Sequence, residues 1–132
     1  VSQVLVTILK AVSQEDGQIE VEFSSQFGRA KGLWMEDFPK IEQSYDVEIN
    51  IDDVLQWGVD IYKTQEDKFM LQETESDLLL QGTLENYDEG DGLSIIRLGN
   101  SILMIDTTGE PEPIGSPVCM KVKTLKLFDT HI

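Results

Sequence analysis

Tyr45-Asp46-Val47-Glu48-Ile49-Asn50-Ile51 is the stretch on which the reading of this sequence turns. Apolar side chains fall at every second position, and Asp46, Glu48 and Asn50 lie between them. A period of two belongs to a strand with one face on a core and the other in water. The same alternation recurs at Gln18–Phe23, where Ile19, Val21 and Phe23 share a side, and at Val118, Met120 and Val122. Less regular strands are predicted at Val4–Val12, Gly58–Tyr62, Phe69–Gln72, Asp77–Leu84, Leu93–Leu98 and Ser101–Asp106. After Val122 the apolar phase flips to Leu125 and Leu127, which predicts a bulge or sharp bend near Thr124.

The punctuation agrees with many short strands. Gly99-Asn100 between two apolar runs predicts a tight hairpin. Asp88-Glu89-Gly90-Asp91-Gly92 is too polar and too glycine-rich to be anything but a turn. Thr108–Pro113 followed by Gly115-Ser116-Pro117 reads as a long connection, because its prolines remove backbone donors from any ladder. Helix is scarce. The best candidate is a short one at Ile51–Gly58, capped by Asp52 or Asp53 and stopped at Gly58. The expectation is an all-β chain: a small, mostly antiparallel barrel or strongly curled sheet with one short helix, the runner-up being a β-sandwich. Without repeats, low-complexity tracts or a linker, residues 1–132 read as a single domain.

Composition narrows the function classes. Apolar residues make up 40% of the 132, which suits a compact fold and excludes a disordered chain. No apolar run approaches the 18 or so residues of a membrane-crossing helix. The apolar N-terminal stretch lacks a basic region before it and a small-residue cleavage site after it, so a strand is predicted there and not a secretory signal. The single cysteine, Cys119, excludes an internal disulfide and a cysteine-rich zinc site, and it fits a reducing, cytoplasmic setting.

Charge is the strongest functional signal. The net charge is −15, and residues 42–91 carry 15 acidic side chains against Lys63 and Lys68. Such a chain repels phosphate, so direct binding of nucleic acid or an anionic membrane is not expected. A basic protein is. Asp46 and Glu48 on the outward side of their strand, with Asp52, Asp53 and Asp60 following, form the candidate partner-binding surface. Tyr45, Trp57 and Tyr62 at its borders are candidate anchors. The competing reading is a merely solvated acidic face; the concentration of charge in one stretch favours binding.

Catalytic signatures are missing. His131 is the lone histidine and sits at the frayed end of the chain, and Cys119 has no histidine or acid beside it. No phosphate-binding glycine loop, HExxH or GxSxG occurs. The Asp88–Gly92 turn lacks the later glutamate of a calcium loop. The expectation is therefore a non-enzymatic protein with no catalytic residue, metal or cofactor, which docks and neutralises a basic protein partner. An immunity protein against a secreted bacterial nuclease-type toxin fits the size and the charge in character, though no family motif is present. The alternative is a small-ligand module or accessory subunit with a pocket at the open end of the barrel, lined by Trp34, Trp57 or Tyr62.

Overall fold

The computed structural model describes residues 3–131. Every regular element among them is a strand: β1 (Val4–Ser13), β2 (Ile19–Ser25), β3 (Gly28–Trp34), β4 (Ser44–Asn50), β5 (Leu55–Gln56), β6 (Ile61–Lys63), β7 (Met70–Glu73), β8 (Leu78–Tyr87), β9 (Leu93–Leu98), β10 (Ser101–Thr108), β11 (Pro117–Val122) and β12 (Lys126–Asp129). None of the described residues forms a helix long and apolar enough to cross a membrane.

Two sheets divide the strands. The first is a closed barrel in the order β1-β2-β3-β12-β4, with β4 returning to pair with β1. Strands β1 to β3 are joined by hairpins and β4 comes back beside β1, which is a Greek-key arrangement. β12 closes it, lying antiparallel to β4 and parallel to β3. Five strands enclose little space, and side chains fill it. Val6, Ile8, Val21, Phe23, Val47 and Leu127 are completely buried. The alternation at Tyr45–Ile51 places Val47, Ile49 and Ile51 inside and leaves Glu48 and Asn50 exposed.

The second sheet is the excursion between β4 and β12, in the order β5-β10-β9-β8-β11-β6, with β7 also against β8. Its two end strands, β5 and β6, are neighbours in sequence, joined through a bridge between Trp57 and Ile61. The sheet is therefore curled until its ends meet. Leu80, Leu84, Ile96, Leu98, Ile105 and Met120 pack its concave side, and one hydrophobic cluster runs from them to the barrel interior.

The predicted helix at Ile51–Gly58 does not form; among the described residues there is none. In its place β5 pairs in parallel with Thr107 and Thr108 of β10. Leu55 and Trp57 are buried with Gln56 exposed between them, a period of two that no helix can satisfy. A turn and a half of helix also carries the full nucleation cost for few hydrogen bonds. The intended caps have other partners: Asp52 meets the Lys126 ammonium at 2.5 Å, and Asp53 accepts the Lys123 backbone N–H at 3.1 Å. Gly58, at φ 89°, turns the chain from β5 into β6, donating its N–H to the Ile61 carbonyl.

The phase flip near Thr124 marks a change of sheet, not a bend within one strand. β11 ends at Val122 in the second sheet and β12 begins at Lys126 in the barrel, so the apolar side must switch. The register shifts that curve the sheets lie in β1 between Ile8 and Lys10, and in β8 between Leu84 and Asn86. The Gly99-Asn100 hairpin is present, with Ser101 opposite Leu98 and only Gly99 at positive φ, the pattern of a type II′ turn.

Candidate functional site

β4 presents its outward residues in one row. Asp46 and Glu48 lie on it, Asn50 follows, and the alternation of burial continues past the end of the strand to exposed Asp52. At about 3.3 Å per residue the row from Asp46 to Asp52 is roughly 20 Å long. Its neighbours carry little opposing charge. Asp46 lies opposite Leu5 on β1, Glu48 opposite Phe128 on β12, and Asn50 opposite Lys126. Lys126 is the cation of the row, held by Asp52.

Beyond Asp52 the chain turns into a cleft of about 410 Å³ lined by Asp53, Val54, Leu55, Asp60, Asp77, Lys121 and Lys123. Asp53 and Asp60 are held in place by the backbone. Lys123 donates its N–H to Asp53, and Gln56 donates its N–H to the Asp60 carboxylate at 2.9 Å, fixing the β5–β6 turn. The structure thus brings Asp46, Glu48 and Asp52 together on one row, and Asp53 and Asp60 together in one cleft. Asp77, Lys121, Lys123 and Lys126 belong with them and were not singled out from the sequence. Lys121 shows as a polar position in the alternation of β11. Its opposition to Asp60, however, depends on a pairing between segments some sixty residues apart.

The three candidate anchors have different surroundings. Trp57 is 7% exposed, faces the core, and donates its indole N–H to Thr107 Oγ1 at 3.2 Å. Tyr45 packs edge-on against Trp34 at a centroid distance of 4.9 Å, and its hydroxyl accepts the Lys40 N–H. Trp34 is itself buried and caps its own loop through the Asp37 carbonyl. Tyr62 is half-buried on β6, with the Lys121 ammonium 5.8 Å above its ring.

Cys119 is buried and is the cross-strand partner of Tyr62. Hydrogen bonding to the Cys119 thiol, and then burial, holds the Tyr62 phenol above the usual value of about 10. The raised value means that the folded state keeps the proton more tightly than the unfolded chain does. The associated stability is complete below about pH 10 and is lost as the pH rises through the folded value. Cys119→Ala is expected to lower the Tyr62 titration midpoint toward 10, read from the ¹³C shift of the labelled tyrosine ring. An unchanged midpoint would show that Cys119 is not the cause.

The remaining carboxylates of residues 42–91 are spread over turns and over strands β7 and β8, and do not extend the row. Glu66 and Asp67 lie between β6 and β7, Glu75 lies between β7 and β8, and Asp88, Glu89 and Asp91 lie between β8 and β9. In the last of these turns Asp88 and Asp91 accept the N–H groups of Gly90 and Leu93. Glu85 pairs with Arg97, and Glu73 with Lys31 at 3.9 Å. His131 is exposed near Asp129 and Glu36.

A second cleft, of about 500 Å³, lies where the β2–β3 hairpin meets β7. It is lined by Leu9, Phe27, Arg29, Met70 and Glu73 among others, but not by Trp34, Trp57 or Tyr62. Phe69 is 40% exposed beside this cleft and packs edge-on with Phe27 at 6.2 Å. Compared with protein-family models, curated proteins and solved structures, the chain matches none of them.

Proposed function

We propose that this chain is a non-enzymatic binding protein that docks a basic protein partner along the outward row of β4 and neutralises it, in the manner of an immunity protein set against a nuclease-type toxin. The observation that supports this most is the row itself: Asp46, Glu48 and Asp52 in line, with Lys126 as the opposing charge. Carboxylates held in line repel one another in the free protein and gain when a cation arrives. The adjoining cleft adds little, since Lys121 and Lys123 there offset two of its three carboxylates, Asp53, Asp60 and Asp77. A nuclease's substrate-binding surface carries the complementary positive charge, because it must hold phosphate.

The filled barrel weighs against the small-ligand alternative. The barrel interior is filled by core side chains, and Trp34 is buried among them and does not line an open pocket.

The test is a comparison of the parent chain with the double variant Asp46→Lys, Glu48→Lys. Both positions project from the barrel, so the variant should keep its fold. Immobilised parent is expected to retain a basic protein from the native lysate at low salt and to release it steeply as salt rises. The double variant should bind that protein about 100-fold more weakly, since close charge pairs at interfaces couple by about 1.5 kcal/mol or more each. A loss of no more than a few-fold removes the row from the interface. For the immunity reading, the captured protein should cleave nucleic acid when alone and not when complexed.

A further inference from the structure

We infer that the free edge of β10 takes an extended segment of the basic partner as an added strand; this rests on the proposed docking along β4 and specifies how it is done. In the β9–β10 ladder, Ser101, Leu103 and Ile105 face Leu98, Ile96 and Ser94. With a two-residue turn closing the hairpin at Leu98 and Ser101, the backbone groups of Ile102 and Met104 point away from β9. On that side β5 pairs only with Thr107 and Thr108, so among the described residues no strand is hydrogen-bonded to β10 at Ile102 or Met104. The side chains at the same two positions are uncovered, Ile102 at 37% and Met104 at 64% exposure.

Edges of sheets are ordinarily guarded by lysine, proline, a bulge or extreme shortness. Ser101-Ile102-Leu103-Met104-Ile105-Asp106 has no lysine or proline, and its register with β9 is unbroken. The edge also adjoins the acidic row. Ser101 Oγ donates to the Gln3 carbonyl at 2.6 Å, and Thr130 Oγ1 contacts both the Gln3 side chain and the Asp46 carbonyl. The start of the edge is thus linked through Gln3 and Thr130 to the backbone of Asp46, the first residue of the row, and exposed Asp106 lies at its other end.

An apolar centre between acidic ends fits a strand with apolar residues facing Ile102 and Met104 and with lysine or arginine at its flanks. A second copy of this chain fits worse. Two β10 edges paired antiparallel would bring Asp106 of each copy to the Asp46 end of the other, placing like charges together.

The probe is a seven-residue peptide alternating lysine and valine, blocked at both ends, together with the same peptide N-methylated at alternate residues so that one edge cannot pair. The parent peptide is expected to slow hydrogen exchange at the Ile102 and Met104 amides, and N-methylation should weaken binding at least about tenfold. Met104→Glu provides a sign test. Added negative charge alone would tighten binding of a basic peptide, whereas strand addition across Met104 predicts weaker binding.

Equal affinity for the N-methylated peptide, unprotected Ile102 and Met104 amides, or tighter binding by Met104→Glu overturns strand addition. If Asp46→Lys, Glu48→Lys abolishes binding while those amides stay unprotected, docking on the row stands and the edge is excluded. If the amides are protected and the double variant binds normally, the row fails and the edge survives as a site of its own. Protection that rises with protein concentration in the absence of peptide identifies a second copy as the occupant, and also overturns the inference.

Discussion

Gly82→Val is expected to remove a large share of the protein's stability, lowering the thermal midpoint by roughly 10 °C. Gly82 lies on β8, flanked by β11 on one side and by β9 on the other. A Cβ there would fall on the carbonyl oxygen of Arg97 and come within 2.8 Å of Ile96 Cγ2. The obstruction is backbone on a neighbouring strand, which a side-chain rotation cannot relieve. Separating β8 from β9 would break the ladder on which Leu84 and Ile96, both fully buried, meet. Overpacking costs about 1–3 kcal/mol and occasionally more, and a backbone obstruction belongs at the upper end, a large share of the 5–15 kcal/mol that holds a domain folded. Gly58→Ala is the control. It has positive φ but nothing within 4 Å of the added carbon, and should cost only about 1 kcal/mol. Thermal melts of both variants beside the parent decide the matter, and a Gly82→Val midpoint within a few degrees of the parent would remove the steric explanation.

A chain ending at Lys123 is expected not to fold cooperatively at all. The missing piece includes Leu125 and Leu127, both completely buried, and the whole of β12. Without it β3 and β4 have no common neighbour, and the barrel is open by one strand. Both exposed edges would be flanked by core residues such as Trp34, Val47 and Ile49, which would then face water. The expected product binds a hydrophobic dye, retains β-type circular dichroism and shows no sharp thermal transition. A separate peptide of residues 124–132 should restore the transition, because its contacts are with strands already present. A sharp melt of the shortened chain near the parent's midpoint would mean that the barrel does not depend on β12.

The sequence was most readable where one side of a strand meets water. β2, β4 and β11 follow from alternation, β9 and β10 from less regular apolar runs, and the Gly99-Asn100 turn from its residues. β3 was not readable. Its Gly-Arg-Ala-Lys-Gly run looks like a loop, but the glycines are there for space: at Gly28 an added Cβ would strike the Leu71 carbonyl, and at Gly32 it would lie 3.1 Å from the Leu125 carbonyl. The helix expected at Ile51–Gly58 came from local capping signals, and these lost to the burial of Leu55 and Trp57 against β10. The flip at Thr124 is plain in the sequence, but a local pattern carries no information about which sheet a strand will join. Of the candidate site, the row on β4 was legible because it is one strand read along its length. The cleft was not, since Asp53, Asp77 and Lys121 come together only through long-range pairing.

The placement of β12 also bears on how the protein is made. Residues 1–50 leave the ribosome with four of the barrel's five staves, and some seventy-five residues must be synthesised before the fifth. During that interval the nascent chain carries an incomplete, apolar-lined half-structure. Closing it joins segments far apart along the chain, which makes for slow maturation. A chaperone that shields newly made chains would act in that window, and synonymous changes that alter the pace of translation over the codons for residues 51–125 would alter the yield of native protein.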